Sequence, residues 1–375
     1  MKIKKIAVSL LFYLLLFVIT NSDNNDNLVK NGDFNNQNKD WFYFNQDSGK
    51  AVMNFDNNQL NVIVKNEGKN PWSIDIGQAG IKIEENYIYK ISFDTRSDKI
   101  KRIRVIMQRN KSPWDMYSGE KYIDITDKLT TYSFSFTMRH HTDEDASLQF
   151  HVGGYAKGWL IFDNVKIVKL GIEELIIPKK FSKPIKDKIL RGIAFGSTLE
   201  APAEGAWGQV LQEEYFNLIK SKGFDHIRFP IRWETHADDN APYTIDPYFF
   251  RRIDWAVSHT LSQGLYAIIN MHHHKIFEKN PAGNNKNKFM AMWKQIAEYF
   301  KDYPDNLYFE IYNEPTTEMT PVWNKYFEEV CDIIRVTNPK RKIIISLHEY
   351  GKISALVKMK LPEKIKKDEN IYISF

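Results

Sequence analysis

The feature of this 375-residue chain that most restricts its fold is a change of hydrophobic period near residue 171. Before it, apolar side chains alternate with polar ones. The runs are Leu60, Val62, Val64; Tyr87, Tyr89, Ile91, Phe93; Ile103, Val105, Met107; Tyr132, Phe134, Phe136; and Leu148, Phe150, Val152. Successive strand residues point to opposite faces, so each run has one face to bury. Turn-forming pairs at Asn57–Asn58, Glu85–Asn86 and Gly153–Gly154 separate the runs. Short half-buried strands with tight spacers predict a two-sheet β-sandwich, jelly-roll-like, over residues 28–170. The polar, Lys-rich, Pro-containing segment 178–188 reads as the core of a linker over 171–189.

Beyond it, buried strand patterns at 190–195, 226–229, 265–270, 307–312, 342–347 and 370–375 alternate with helical patterns at 212–222, 247–263, 286–300 and 322–337. Strand–helix alternation predicts a parallel sheet, and about 40 residues per unit suits a (β/α)8 barrel with decorated loops. Residues 190–375 supply six strands of it, so an incomplete TIM barrel is expected.

Lys2, Lys4 and Lys5 precede a nearly unbroken apolar run over residues 6–19, then Thr20, Asn21 and Ser22. This is the layout of a secretory signal peptide over residues 1–22. The run falls short of the roughly 20 residues that span a bilayer, although an uncleaved anchor is the alternative. A secreted, extracellular protein with no stable membrane association after cleavage is expected. The single cysteine, Cys331, cannot form an internal disulfide and sits in a helical pattern, which predicts a buried, inert thiol. The net charge of +5 comes from interleaved basic and acidic residues, which argues against a nucleic-acid partner.

In a barrel, reactive groups gather at the C-terminal ends of the strands. Those ends here read Arg228-Phe229-Pro230, then Asn270-Met271-His272-His273-His274, then Asn313-Glu314-Pro315. Arg228, His272, His273, Asn313 and Glu314 would therefore share one mouth. Each residue type has work to do in glycoside hydrolysis. A carboxylic acid protonates a leaving oxygen, an amide donates to a sugar hydroxyl, and an arginine holds a second carboxylate ionised. Neutral imidazoles both donate to and accept from hydroxyls. Taken singly, Arg228 also fits a surface ion pair, Glu314 a turn cap and the histidines a metal site. Three consecutive strand histidines cannot converge without a bend, so no metal is expected at them.

Residues 191–375 also resemble glycoside hydrolase family 5, the cellulase-type group with a (β/α)8 barrel. The resemblance rests on RGIAFGSTLEAPAEGAWG (191–208), GFDHIRFPIRW (223–233), THADDNAPYTIDPYFFRRID (235–254), GLYAIINMHHH (264–274), AMWKQIAEYFKDYPDNLYFEIYNEP (291–315) and ISAL (353–356). It implies a retaining mechanism with two glutamates, no cofactor, and Glu314 as the general acid/base. Asn313, Arg228 and His272 fall in the catalytic shell, with His273 and Glu200 as substrate-binding residues. Ser197 stands where the family usually has Asn. The family's nucleophile follows a seventh strand and its platform tryptophan an eighth. The resemblance therefore makes this chain a fragment or truncated product, silent by itself, with Glu349 the nearest rival for the missing carboxylate.

The first half resembles the carbohydrate-binding modules of the family 4 and 9 group. The matching stretches are LVKNGDF (28–34), NPWSIDIGQAGIKIEENYIYKISFDTRS (70–97), RVIMQRNKSPWDMYSG (104–119) and WLIFDNVKI (159–167). The resemblance implies a cleft on one sheet for a single glycan chain, lined by Trp72, Gln108, Trp114 and Tyr117. The loop setting of Trp114 and Tyr117 predicts that both are exposed. It also implies a structural calcium, to which Asp33 or Asp163 would contribute. The expected activity is that of a secreted retaining endo-β-1,4-glucanase acting on plant cell-wall polysaccharide, β-glucan or mannan. A non-catalytic glycan-binding protein with a vestigial barrel is the alternative.

Overall fold

The computed structural model describes residues 27–375 apart from residues 113, 156 and 358; the leader expected over residues 1–22 lies outside the described residues. Ten antiparallel strands make the first half. They are β1 (Phe42–Asn45), β2 (Lys50–Asp56), β3 (Gln59–Asn66), β4 (Ile74–Ile83), β5 (Tyr87–Ser97), β6 (Lys101–Arg109), β7 (Lys121–Ile125), β8 (Thr130–Thr137), β9 (Asp143–His151) and β10 (Gly158–Ile172). They form two five-stranded sheets, ordered β1-β4-β9-β6-β7 and β2-β3-β10-β5-β8. The alternation sets the packing. Leu60, Val62 and Val64 of β3 and Tyr89, Ile91 and Phe93 of β5 turn inward against Ile103, Val105, Met107, Leu148 and Phe150 of the other sheet. Phe150 is central, edge-on to Phe93 at 5.0 Å and 4.8 Å from Phe162.

The second half is a sheet of six parallel strands in sequence order: β11 (Gly192–Ala194), β12 (His226–Phe229), β13 (Tyr266–Asn270), β14 (Leu307–Glu310), β15 (Lys342–Ser346) and β16 (Ile371–Ser374). Helices α1 (Glu213–Ser221), α2 (Pro247–Ser262), α3 (Lys275–Lys279), α4 (Gly283–Tyr299) and α5 (Thr320–Thr337) connect β11 through to β15. Strand β13 is buried along its whole length, as expected where both faces of a parallel sheet are covered. Its Ala267 and Ile269 pack toward the helices, whereas Ile268 joins Tyr266 and Tyr308 in a small cluster on the other face. Helix α2 opens with Pro247 at its first position, and Asp246 accepts a hydrogen bond from the Tyr248 amide. Cys331 is buried in α5 and burial pushes its thiol up to about 12. Among the described residues no helix is long and apolar enough to cross a membrane.

The sandwich followed by a partial barrel agrees with the architecture read from the sequence. The stretch expected to be a linker differs from a free tether. Its Ser182 amide donates to the Leu261 carbonyl and the Ile185 amide to that of Gly264, and the Phe181 ring lies tilted 5.4 Å from Tyr303. Apolar Phe181 and Ile185 give the polar stretch footholds on the barrel.

A charged knot joins the two halves. Arg139, just past β8, donates to Glu173 at 2.8 Å and lies 3.5 Å from Glu204 on the loop after β11. Glu204 is gripped by Arg252 of α2 through two bonds of 2.8 and 2.9 Å and accepts a third from the Leu211 amide. Glu173 also accepts from Tyr248 of α2. Burial penalises the Glu204 carboxylate, yet Arg252 and Arg139 outweigh it and hold the acid down at about 2.

Candidate active site

The strand ends gather around Arg228. Its position alternates with Ile227 and Phe229, which face the helices, so Arg228 projects from the opposite face of the sheet. It reaches across β13 and donates to both oxygens of Glu310 on β14, at 2.6 and 2.8 Å, and to the Asn313 side-chain oxygen at 2.8 Å. Ser346 of β15 adds a bond to Glu310. Burial would lower the Arg228 pKa, but Glu310, with the charges of Glu314 and Glu200, raises it. Four of the predicted residues, Arg228, Asn313, Glu314 and Glu200, therefore share one electrostatic environment.

The backbone sets the directions of these groups. Met271 accepts from the Asn313 amide, and Ile231 from the His272 amide, which ties consecutive strand ends together. Ser197, His273, Glu314 and Glu349 all have left-handed backbones, with φ of 62°, 52°, 46° and 57°. Such conformations cost a non-glycine residue free energy and cluster where function demands an unusual side-chain direction. Glu314 is thereby exposed while its neighbour Asn313 stays half-buried. The turn at His273 supplies the bend absent from a regular strand. It sets the His272 and His273 rings 4.3 Å apart and nearly perpendicular. Burial, aided by His273 and Arg228, pushes His272 down to about 3, so it is neutral. The half-exposed Trp207 meets His273 edge-on at 5.9 Å. Glu200 is buried and accepts from the Ser197 amide and, at 3.0 Å, from the Thr198 amide. It shapes the loop where this chain carries Ser197.

Glu310 is the residue the sequence reading missed, and it is a partner of Arg228 that the strand-end rule did not supply. Among the described residues the bidentate partner of that guanidinium is Glu310 on β14, two strands away. The signal was present: Glu310 is the only charged residue in the strand Leu307–Glu310, and a buried carboxylate requires a cationic partner.

On the sandwich, the outer face of the β1-β4-β9-β6-β7 sheet carries a row of shielded polar groups. Gln108 donates to Gln149 at 3.0 Å, Gln149 accepts from or contacts His151 at 2.9 Å, and Arg104 meets His151 at 2.9 Å. Arg104 then lies 5.2 Å over the ring of Trp72, which is 40% exposed. His151 is pushed down to about 3 by burial and by Arg104, while burial lifts Asp75 to about 7 against the pull of Arg104. Trp114 is exposed at 53% with a left-handed backbone. Tyr117 departs from expectation: it is 6% exposed, belongs to the sandwich core, and donates to Asp143 at 2.6 Å. The Met107 carbonyl accepts from its amide, which draws the loop back onto β6 and takes Tyr117 inward. Asp33 accepts from Asn35, and Asp163 from Gln59 and Asn164, so both are engaged locally. Among the described residues no three His, Cys, Asp or Glu are grouped to hold a metal ion.

Carboxylates, an amide and two imidazoles thus collect around one guanidinium, beside a separate β-sandwich. Residues 191–375 belong to the family described as cellulase (glycosyl hydrolase family 5), and residues 26–158 match a carbohydrate binding domain. Among similar proteins, endoglucanase H of Acetivibrio thermocellus is 39% identical over 177 residues, 47% of this chain and 20% of its own length. Endoglucanase A of Ruminococcus albus is 32% identical over 192 residues, 44% of this chain and 53% of its own length. A xyloglucan-specific endo-β-1,4-glucanase of Bacteroides ovatus is 30% identical over 199 residues, 46% of this chain and 40% of its own length. The chain thus spans between 20% and 53% of the length of these curated relatives. The solved endoglucanase Cel5A of Thermotoga maritima is 44% identical, with a TM-score of 0.47, over 49% of this chain and 58% of that one. A solved carbohydrate-binding module of family 4 is 22% identical, with a TM-score of 0.35, over 38% of this chain and 99% of that one.

Proposed function

We propose that this chain is part of a secreted retaining endo-hydrolase of plant cell-wall β-glycan, of the β-1,4-glucanase type, whose sandwich holds it on substrate. The observation that carries this reading is the Arg228–Glu310–Asn313 array, with Glu314 turned outward beside it. In it Glu314 is the acid that protonates the leaving oxygen and later the base that activates water. Asn313, its carbonyl oxygen held by Arg228, keeps its amide hydrogens free for the sugar hydroxyl next to the scissile bond. Neutral His272 and the neighbouring His273 bind further hydroxyls. On the sandwich, Trp72 and Trp114 offer ring faces, and the Gln108–Gln149 pair offers amides.

Retention requires a second carboxylate about 5 Å from the first. The family pattern puts it after a strand beyond the six seen here, so this chain by itself is expected to be silent. Glu349 is the competing candidate, 3.9 Å from His348 at the end of β15. An activated aryl cellobioside tests the assignment, first on the chain as it stands and then on a chain joined to a family-like C-terminal portion. The joined enzyme should turn over, and Glu314→Gln should lower its rate on a poor leaving group at least about a hundredfold, the usual yield of general acid catalysis. A joined Glu314→Gln enzyme that keeps full activity on the poor leaving group defeats the assignment. Turnover by the unextended chain that vanishes in Glu349→Gln would give the nucleophile role to Glu349.

A further inference from the structure

Between the sandwich and the barrel runs a cleft of about 810 Å³ that belongs to neither site above. The sandwich lines it with Arg109, Asp115 and His140, and the barrel with Glu234, His236 and Asp238. The barrel residues come from the loop after β12, which leaves the sheet at the same end as Arg228 and Asn313. The cleft therefore opens at the end of the barrel where the strand-end site lies.

Two polar atoms on opposite walls lack hydrogen-bond partners although both are shielded: Glu234 Oε2 and His140 Nε2. The Glu234 side chain is only 11% exposed, and Oε2 lies 3.5 Å from His274 Nε2. His274 Nδ1 is itself without a partner, and burial keeps this imidazole neutral at about 3; burial raises the Glu234 pKa although the charges of Arg232 and Lys288 pull it down. His274 also directly follows the His272–His273 pair. Across the cleft, burial lowers the pKa of His140, whose ring is braced by Tyr117 at 5.1 Å. The inward turn of Tyr117 thus supports a cleft wall. Shielded polar atoms left unpaired cost free energy, and native structures nearly always supply them with a partner, protein, water or ligand.

The chemistry of the walls narrows the ligand. A carboxylate accepts, and a neutral imidazole donates or accepts, which matches the vicinal hydroxyls of a sugar. Arg109 and Asp115 neutralise each other at 2.9 Å, so the cleft has no excess cation for a polyanion. The aromatic rings that line it are imidazoles, and its apolar lining is limited to Ile245, two prolines and two alanines. The Arg139 knot fixes the spacing of the two walls.

We propose that this cleft is a sugar subsite built jointly by the two modules, taking a stretch of the neutral β-glycan chain beyond the strand-end site, with Glu234 and His140 reading its hydroxyls. The inference rests on the glycan reading given above. The test uses the whole chain with cellotriose and cellohexaose, followed by calorimetry and by amide hydrogen exchange. Cellohexaose should protect residues 138–141 and 234–239 where cellotriose does not. His140→Ala and Glu234→Gln should each lower the hexaose-to-triose affinity ratio about tenfold, the usual yield of one lost hydrogen bond. If both sugars bind but neither segment gains protection and neither variant shifts the ratio, the subsite is wrong and the glycan reading stands. If neither sugar binds, both fall. Exchange is measured on the unaltered chain, so a variant that fails to fold leaves the outcome decidable.

Discussion

At the scale of single residues, Arg228 has a structural duty beside its place at the strand ends. Its guanidinium satisfies a carboxylate that is only 5% exposed, Glu310, on a strand two places away. Removing one member of a buried ion pair leaves the other charged and unpaired, which typically costs about 3–5 kcal/mol. Arg228→Met should therefore lower the stability of the chain by roughly 3 kcal/mol, within that range. Arg228→Met together with Glu310→Met should recover most of the loss. Chemical denaturation of the two variants checks this. Equal losses in the single and double variants would show that the pair does not hold the strand ends.

At the scale of elements, α2 begins where Asp246 accepts the Tyr248 amide and Pro247 supplies a preset φ. Asp246→Ala should cost about 1 kcal/mol, the usual value of an N-cap, read as a drop in the melting temperature. The strands were legible because their signals are local. The pattern at 226–229 is β12 residue for residue, and the other five barrel strands fall inside the expected windows. Helix α3 was not legible, because five residues are too few to show a helical period. The residues around Arg228 were legible through one rule of placement, strand ends facing one mouth. Glu310 was not, because it lies inside the strand, before that end. Tyr117 shows the opposite failure: its loop has the composition of a surface, and only tertiary contacts with Met107 and Asp143 take it inside.

At the scale of the whole molecule, acid should loosen it. His151, His236, His272 and His274 are each pushed down to about 3, chiefly by burial. The unfolded chain takes up these protons near pH 6.5. Their contribution is thus fully present above that value and lost as pH falls toward 3. Each such group tilts stability by up to about 1.4 kcal/mol per pH unit across the window. Glu204, held at about 2, adds the same sign at lower pH, present above the ordinary carboxylate range and lost as pH falls toward 2. Denaturant midpoints should therefore fall steadily from pH 7 to pH 4. A midpoint independent of pH over that range would mean that these imidazoles are not neutral in the fold.

The lone Cys331, set in α5 against the sheet, gives the molecule a built-in clock. A thiol that burial holds near pKa 12 offers almost no thiolate to a reagent at neutral pH. Alkylation can then proceed only as fast as the helix lifts from the barrel. The rate at which one sulfur disappears thereby times the opening of this half of the protein, with no label added and no second cysteine to confuse the count.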